Sequence, residues 1–126
     1  MKKIILLTAS VLGFFSVIIG AFGAHFFEEI LILNKRLDTF DTASKYHFYH
    51  VFLLLFLGVF YDINNKRYMN FAFYFCLIGI LLFSGSLYIL CYTNNSFFAV
   101  ITPIGGLCFI FSWFMLFVSI IKKNNI

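Results

Sequence analysis

Residues 42–61 read TASKYHFYHVFLLLFLGVFY: nine mixed residues, Thr42 to His50, run straight into eleven that are almost wholly apolar, Val51 to Tyr61. Two of the three histidines of the chain fall in the first nine. On a helix turning about 100° per residue, Thr42, Ala43, Tyr49 and His50 lie within roughly 60° of Tyr46, so a polar stripe forms on one face. Lys45 and Phe48 point away from that stripe, and His47 stands at its edge. Hydroxyls, phenols and an imidazole at the mouth of a hydrophobic helix need polar partners, because unpaired polar groups in hydrocarbon are costly. The stretch therefore predicts a polar meeting place inside a membrane protein.

Composition supports that environment. Hydrophobic residues make up 63% of the chain and charged residues 11%, with a mean hydropathy of +1.00. A soluble domain of this size would lack the polar surface to cover itself. Four stretches, 4–27, 43–61, 69–92 and 97–121, reach the roughly 17–25 residues that a spanning helix needs. The expected fold is an all-α, integral membrane four-helix transmembrane bundle, one domain over residues 1–126 with no extramembrane part.

With four spans, Lys2, Lys3, Lys66, Arg67, Lys122 and Lys123 fall on one side. Lys35, Arg36 and Lys45 fall on the other, beside Glu28, Glu29, Asp38 and Asp41. Cytoplasmic ends collect Lys and Arg, so both termini are expected in the cytoplasm, in an inner or plasma membrane. The basic residues sit in pairs at helix ends rather than along a stripe, which argues against nucleic acid as a partner. The lipid bilayer is the expected partner, with room for a second membrane protein or another copy of the chain.

The first span opens Met-Lys-Lys like a signal peptide, with Ala21 and Gly23 as small residues before a cut. Against cleavage, Ala9, Gly13, Ser16, Gly20, Gly23 and Ala24 form one small-residue stripe that lets helices approach closely. In the third span Gly79 and Ser86 share one face and Ser84 and Tyr88 another. In the fourth, Pro103 predicts a kink, Gly105, Cys108, Ser112 and Ser119 a close-approach face, and Trp113 plain packing. The polar groups gather in the outer half of the bilayer: His25, Tyr46, Tyr49, His50, Ser84, Ser86 and Thr102.

Chemistry is harder to read from this set. Cys76, Cys91 and Cys108 lack paired ligand spacing and read as small packing residues. A metal held by His25, His47 and His50 with a loop glutamate has sound ligands, but His47 and His50 diverge by about 60° and the span holds no supporting carboxylate; haem between His25 and His50 lacks an attachment motif. A Ser-His-acid triad lacks an intramembrane acid. No catalytic residue, cofactor or metal is therefore assigned.

Four blocks in order, Gly20-Ala21-Phe22-Gly23-Ala24-His25, Thr42-Ala43 with Tyr46, Tyr49 and His50, Phe83-Ser84-Gly85-Ser86-Leu87-Tyr88 and Ile101-Thr102-Pro103-Ile104-Gly105-Gly106, resemble the YgdD/YwdK-like family of small inner-membrane proteins. That family is a domain-of-unknown-function group with eukaryotic relatives. The resemblance implies four spans and the plasma membrane, and no established activity. One departure is His47, where the family pattern carries Gln, and this weakens any metal role that needs it. The leading expectation is a non-enzymatic structural or accessory membrane protein. The alternative is a small transporter or ligand-binding membrane protein in which His50 titrates.

Overall fold

A computed structural model of the chain describes residues 1–123, and among these every regular element is helical. Helix α1 runs Lys2–Phe26 and carries a π-helical segment at Ile18–Gly23. The short α2 is Glu28–Leu33 and the central α3 is Leu37–Val59. A single 3-10 turn, Tyr61–Ile63, leads to α4, Lys66–Thr93, which has its own π-helical segment at Ile80–Gly85. Helix α5 is Phe97–Ile121 and continues through Pro103.

Three of these helices, α1, α4 and α5, are long and apolar enough to cross a membrane. The expected count of four is thus met in part. The difference is α3, which begins at Leu37, six residues before the apolar stretch, and carries Asp38, Asp41 and Lys45 in its opening turns. The polar nine-residue stretch dilutes its hydropathy, yet it packs against α1, α2 and α4, while α5 packs chiefly on α4.

Helices α1 and α3 run antiparallel. A Cβ added at Gly58 would meet Leu6, one at Gly13 would meet Val51, and one at Gly23 would meet Phe40. The small-residue stripe of α1 is thereby used along most of its length, although Gly20 faces open space. Helices α4 and α5 pair the same way: a Cβ at Gly105 would run into the Leu82–Phe83 backbone, so only glycine allows that approach.

Buried hydroxyls tie the helices together by donating to backbone carbonyls of their neighbours. Ser84 Oγ donates to Ala43 O at 2.9 Å, Ser112 Oγ to Ala72 O at 2.7 Å and Ser119 Oγ to Asn65 O at 3.1 Å. A helical carbonyl has a second lone pair free for such a bond. At the far end, Lys2 Nζ meets Asp62 at 2.8 Å and Asn65 Nδ2 donates to Lys122 O at 3.2 Å. The N-terminus, the 62–66 turn and the end of α5 therefore lie together.

Candidate functional site

The polar residues of α3 are set by which of its faces is buried. Ala43, His47, His50, Val51, Leu54, Leu57 and Gly58 are buried, the spacing of one helical face. That face is centred on His47 and His50 rather than on Tyr46. Tyr46 and Tyr49 lie at its border, 42% and 56% exposed, while His47 and His50 are 4% and 5% exposed. His47, placed at the edge of the stripe by its polar neighbours, is in fact near the centre. The long apolar run that follows decides how the helix rotates, and it outweighs a few polar residues.

His50 is held from every side. Its Nδ1 lies 2.7 Å from Tyr46 O, so it carries the proton and donates. Its Nε2 accepts from Trp113 Nε1 of α5 at 3.3 Å. These two partners specify the neutral Nδ1–H tautomer. Phe109 stacks on the ring at 3.5 Å between centroids, and Tyr46 packs parallel to it at 6.1 Å. Trp113 is therefore a hydrogen-bond partner as well as a packing residue.

The remaining candidates divide. Ser84 bonds to the backbone of Ala43, one turn before Tyr46, and the Tyr46 ring lies 4.8 Å from that of Phe83. Ser86 and Thr102 join α4 to α5 at 2.7 Å. One hydroxyl donates to the other, and the second donates within its own helix, to Phe83 O or Phe98 O. Tyr46, His50, Ser84, Ser86 and Thr102 thus form a seam along the α3, α4 and α5 junction. His25 and Tyr49 are not brought into it. His25 is exposed, just past the level where Gly23 meets Phe40, and ten residues of α3, about 15 Å, separate that level from His50. Tyr49 points outwards beside Phe52 and Trp113.

A second polar centre lies where α1, α3 and α4 meet. His47 Nδ1 is 3.1 Å from the Tyr88 hydroxyl. Its Nε2 edge looks towards the Leu12 carbonyl without an aligned hydrogen bond, and the buried hydroxyls of Ser16 and Ser44 also lack aligned partners. Tyr88 faces Ser44 as well. Among the described residues no three His, Cys, Asp or Glu side chains converge as metal ligands.

The two π-helical segments overlap the first halves of the Gly20–His25 and Phe83–Tyr88 blocks, and both pack against α3. Bonds of the i→i+5 type widen a helix by an extra residue and are often found at functional positions. The shared faces expected on α4 survive the second segment: Ser84 and Tyr88 both reach α3, and Gly79 and Ser86 both meet α5.

These features define an all-helical membrane protein whose polar side chains are spent between helices. Residues 19–106 match the family model described as "Protein of unknown function (DUF423)". The chain is 37% identical over 121 residues to the UPF0382 membrane protein YwdK of Bacillus subtilis, covering 95% of this chain and 98% of that one. It is 36% identical to a UPF0382 membrane protein of Haemophilus influenzae over the whole length of both. With the UPF0382 inner membrane protein YgdD of Escherichia coli it shares 30% identity, covering 98% of this chain and 94% of the relative. The chain belongs to this DUF423 (UPF0382) family of membrane proteins. No solved structure matches it.

Proposed function

We propose that the protein is a non-enzymatic, four-span membrane protein of structural or accessory role, with both termini cytoplasmic, whose outer-half polar seam fixes how its helices meet. The observation that carries this reading is the occupancy of both nitrogens of His50, one by its own helix and one by Trp113 of α5. An imidazole used in this way bridges helices and leaves no ring nitrogen to carry a proton from one place to another. Ser84, Ser112 and Ser119 act alike, each spending its hydrogen on a neighbouring backbone. As a fourth span, α3 has the length: 23 residues rise about 34 Å, against a hydrocarbon core of about 30 Å. Its Asp38, Asp41 and Lys45 would then sit at the headgroup level, where the Lys45–Asp41 pair at 2.8 Å is wet. On this reading the exposed apolar faces meet lipid, or a partner membrane protein or second copy.

The test compares wild type with His50→Gln, reconstituted in liposomes loaded with a pH-sensitive dye and, separately, unfolded by heat in detergent. The expected result is a lowered melting temperature and no proton flux from either protein. A proton-dependent flux in wild type that His50→Gln abolishes at unchanged stability overturns the reading in favour of a transporter. For orientation, single cysteines at Lys3 and Lys35 in a background without Cys76, Cys91 and Cys108 are labelled in intact cells with an impermeant maleimide. Labelling is expected at position 35 alone.

A further inference from the structure

We propose that the cavity beneath α2 holds one acyl chain of an anionic phospholipid whose phosphate rests on Arg36. The cavity encloses about 350 Å³, within the range of small-molecule sites. Its walls come from four helices: Ile19 in the π-helical segment of α1, Leu31 of α2, Phe40 of α3, and Tyr88, Ile89 and Cys91 of α4. Apolar walls alone give no preference, because an acyl chain is as comfortable in the bilayer as in the protein. Selectivity must come from a charge nearby, and Arg36 sits next to one of the walls, its carbonyl hydrogen-bonded to Cys91.

Arg36 lies at the start of α3, against the C-terminal end of α4. Its Nε donates to Asn94 Oδ1 at 3.1 Å, and its carbonyl accepts from Cys91 Sγ at 3.7 Å. Cys91 is also a wall of the cavity, so the start of α3 at Arg36 lies beside it. Among the described residues the terminal nitrogens of Arg36 make no hydrogen bond, and no carboxylate pairs with it, although Glu28, Glu29 and Asp38 are on neighbouring turns. A guanidinium with its outer edge free matches a phosphate in bidentate fashion, and basic sites between helices are known to take anionic lipid headgroups. A charge next to the cavity and the apolar space within it together fit an amphiphile with an anionic head. The inference does not depend on which leaflet α2 faces, nor on the structural reading of His50.

The full-length protein in mild detergent is titrated with phosphatidylglycerol, and with phosphatidylcholine of the same chains, and bound lipid is counted by native mass spectrometry. One phosphatidylglycerol is expected to bind about ten-fold more tightly than phosphatidylcholine, the difference that one charge-assisted contact supplies. Arg36→Gln should bring the two lipids level, while Asn94→Ala, which removes the brace and keeps the charge, should preserve the preference. Ile89→Trp, which fills the cavity, should weaken both. Equal binding of the two lipids by wild type overturns the proposal, as does undiminished phosphatidylglycerol binding by Arg36→Gln or by Ile89→Trp. A dimer carrying no lipid overturns it as well, since a second copy would then cover the cavity.

Discussion

His47 and His50 stand three residues apart on one helix, are almost equally buried, and live in different chemistry. The His50 ring has both nitrogens bonded and its face covered by Phe109. The His47 ring has one nitrogen on Tyr88 and the other without an aligned partner, beside Ser16 and Ser44 in the same condition. A satisfied polar group locks a packing arrangement, whereas a half-satisfied one stores a penalty that nothing in the fold requires. The lesson is that burial alone does not mark an intramembrane histidine as functional or structural; the count of its partners does.

The largest effect that would break this contrast is expected at position 50. His50→Ala removes two hydrogen bonds and a ring stacked in the core, and should destabilise the protein by about 2–3 kcal/mol in detergent–SDS unfolding. His47→Leu combined with Tyr88→Phe removes both members of the other pair, leaves only the Ser44 hydroxyl, free to turn to its own helix backbone, and should be close to neutral. If the two replacements cost the same, the distinction drawn between the two rings is wrong. Trp113→Phe is the next sharpest probe. It keeps an aromatic side chain but strands His50 Nε2, so a loss of about 1 kcal/mol is expected. Combined with His50→Ala the two losses should be less than additive, because both cut one bond.

How much of this was visible in the sequence follows from the same geometry. The membrane environment, the helices and their close-approach glycines were legible, because hydropathy and residue size act locally. Of the candidate cluster, Ser86 and Thr102 stand 2.7 Å apart, while Ser84 bonds to Ala43 O and His50 to Tyr46 O and Trp113. The rotation of α3 was not legible, since the polar residues of 42–50 pull the apparent face towards Tyr46 while Leu54, Leu57 and Gly58 set it on His47. Reading the buried spacing backwards from Gly58 would have found this. Ser84 and Tyr88 do share a face, both reaching α3, whereas His25, expected in the cluster, is exposed. Trp113 was legible as an aromatic, yet its N–H becomes a partner only through the α3–α5 crossing, a long-range fact.

Ser84→Ala tests the seam from the other side of α3. Its hydroxyl is fully buried and donates to Ala43 O, a carbonyl already used by its own helix. Removing it leaves that acceptor satisfied, so the expected loss is only about 0.6 kcal/mol. Ser112→Ala, at the equivalent bond to Ala72 O, should cost the same.

The smallest effect belongs to the opposite end of the molecule and separates the histidines from other titrating groups. Asp62 accepts a hydrogen bond from Lys2, with Lys66 farther off at 3.9 Å, and the Lys2 ammonium holds its carboxyl below the usual carboxylate range. A carboxyl whose folded value is depressed adds stability that is fully present above its unfolded value. That contribution is lost as the pH falls through the folded one. Melting temperature should therefore drop slightly below about pH 4, and the drop should shrink in high salt because the pair is exposed. Asp62→Asn should flatten this acid limb while leaving the profile between about pH 5 and 8 untouched, where histidines change charge. A change in that upper window would mean that Lys2 and Asp62 act on the histidine centres through the length of the α1–α3 pair, and the two ends of the bundle would no longer be independent.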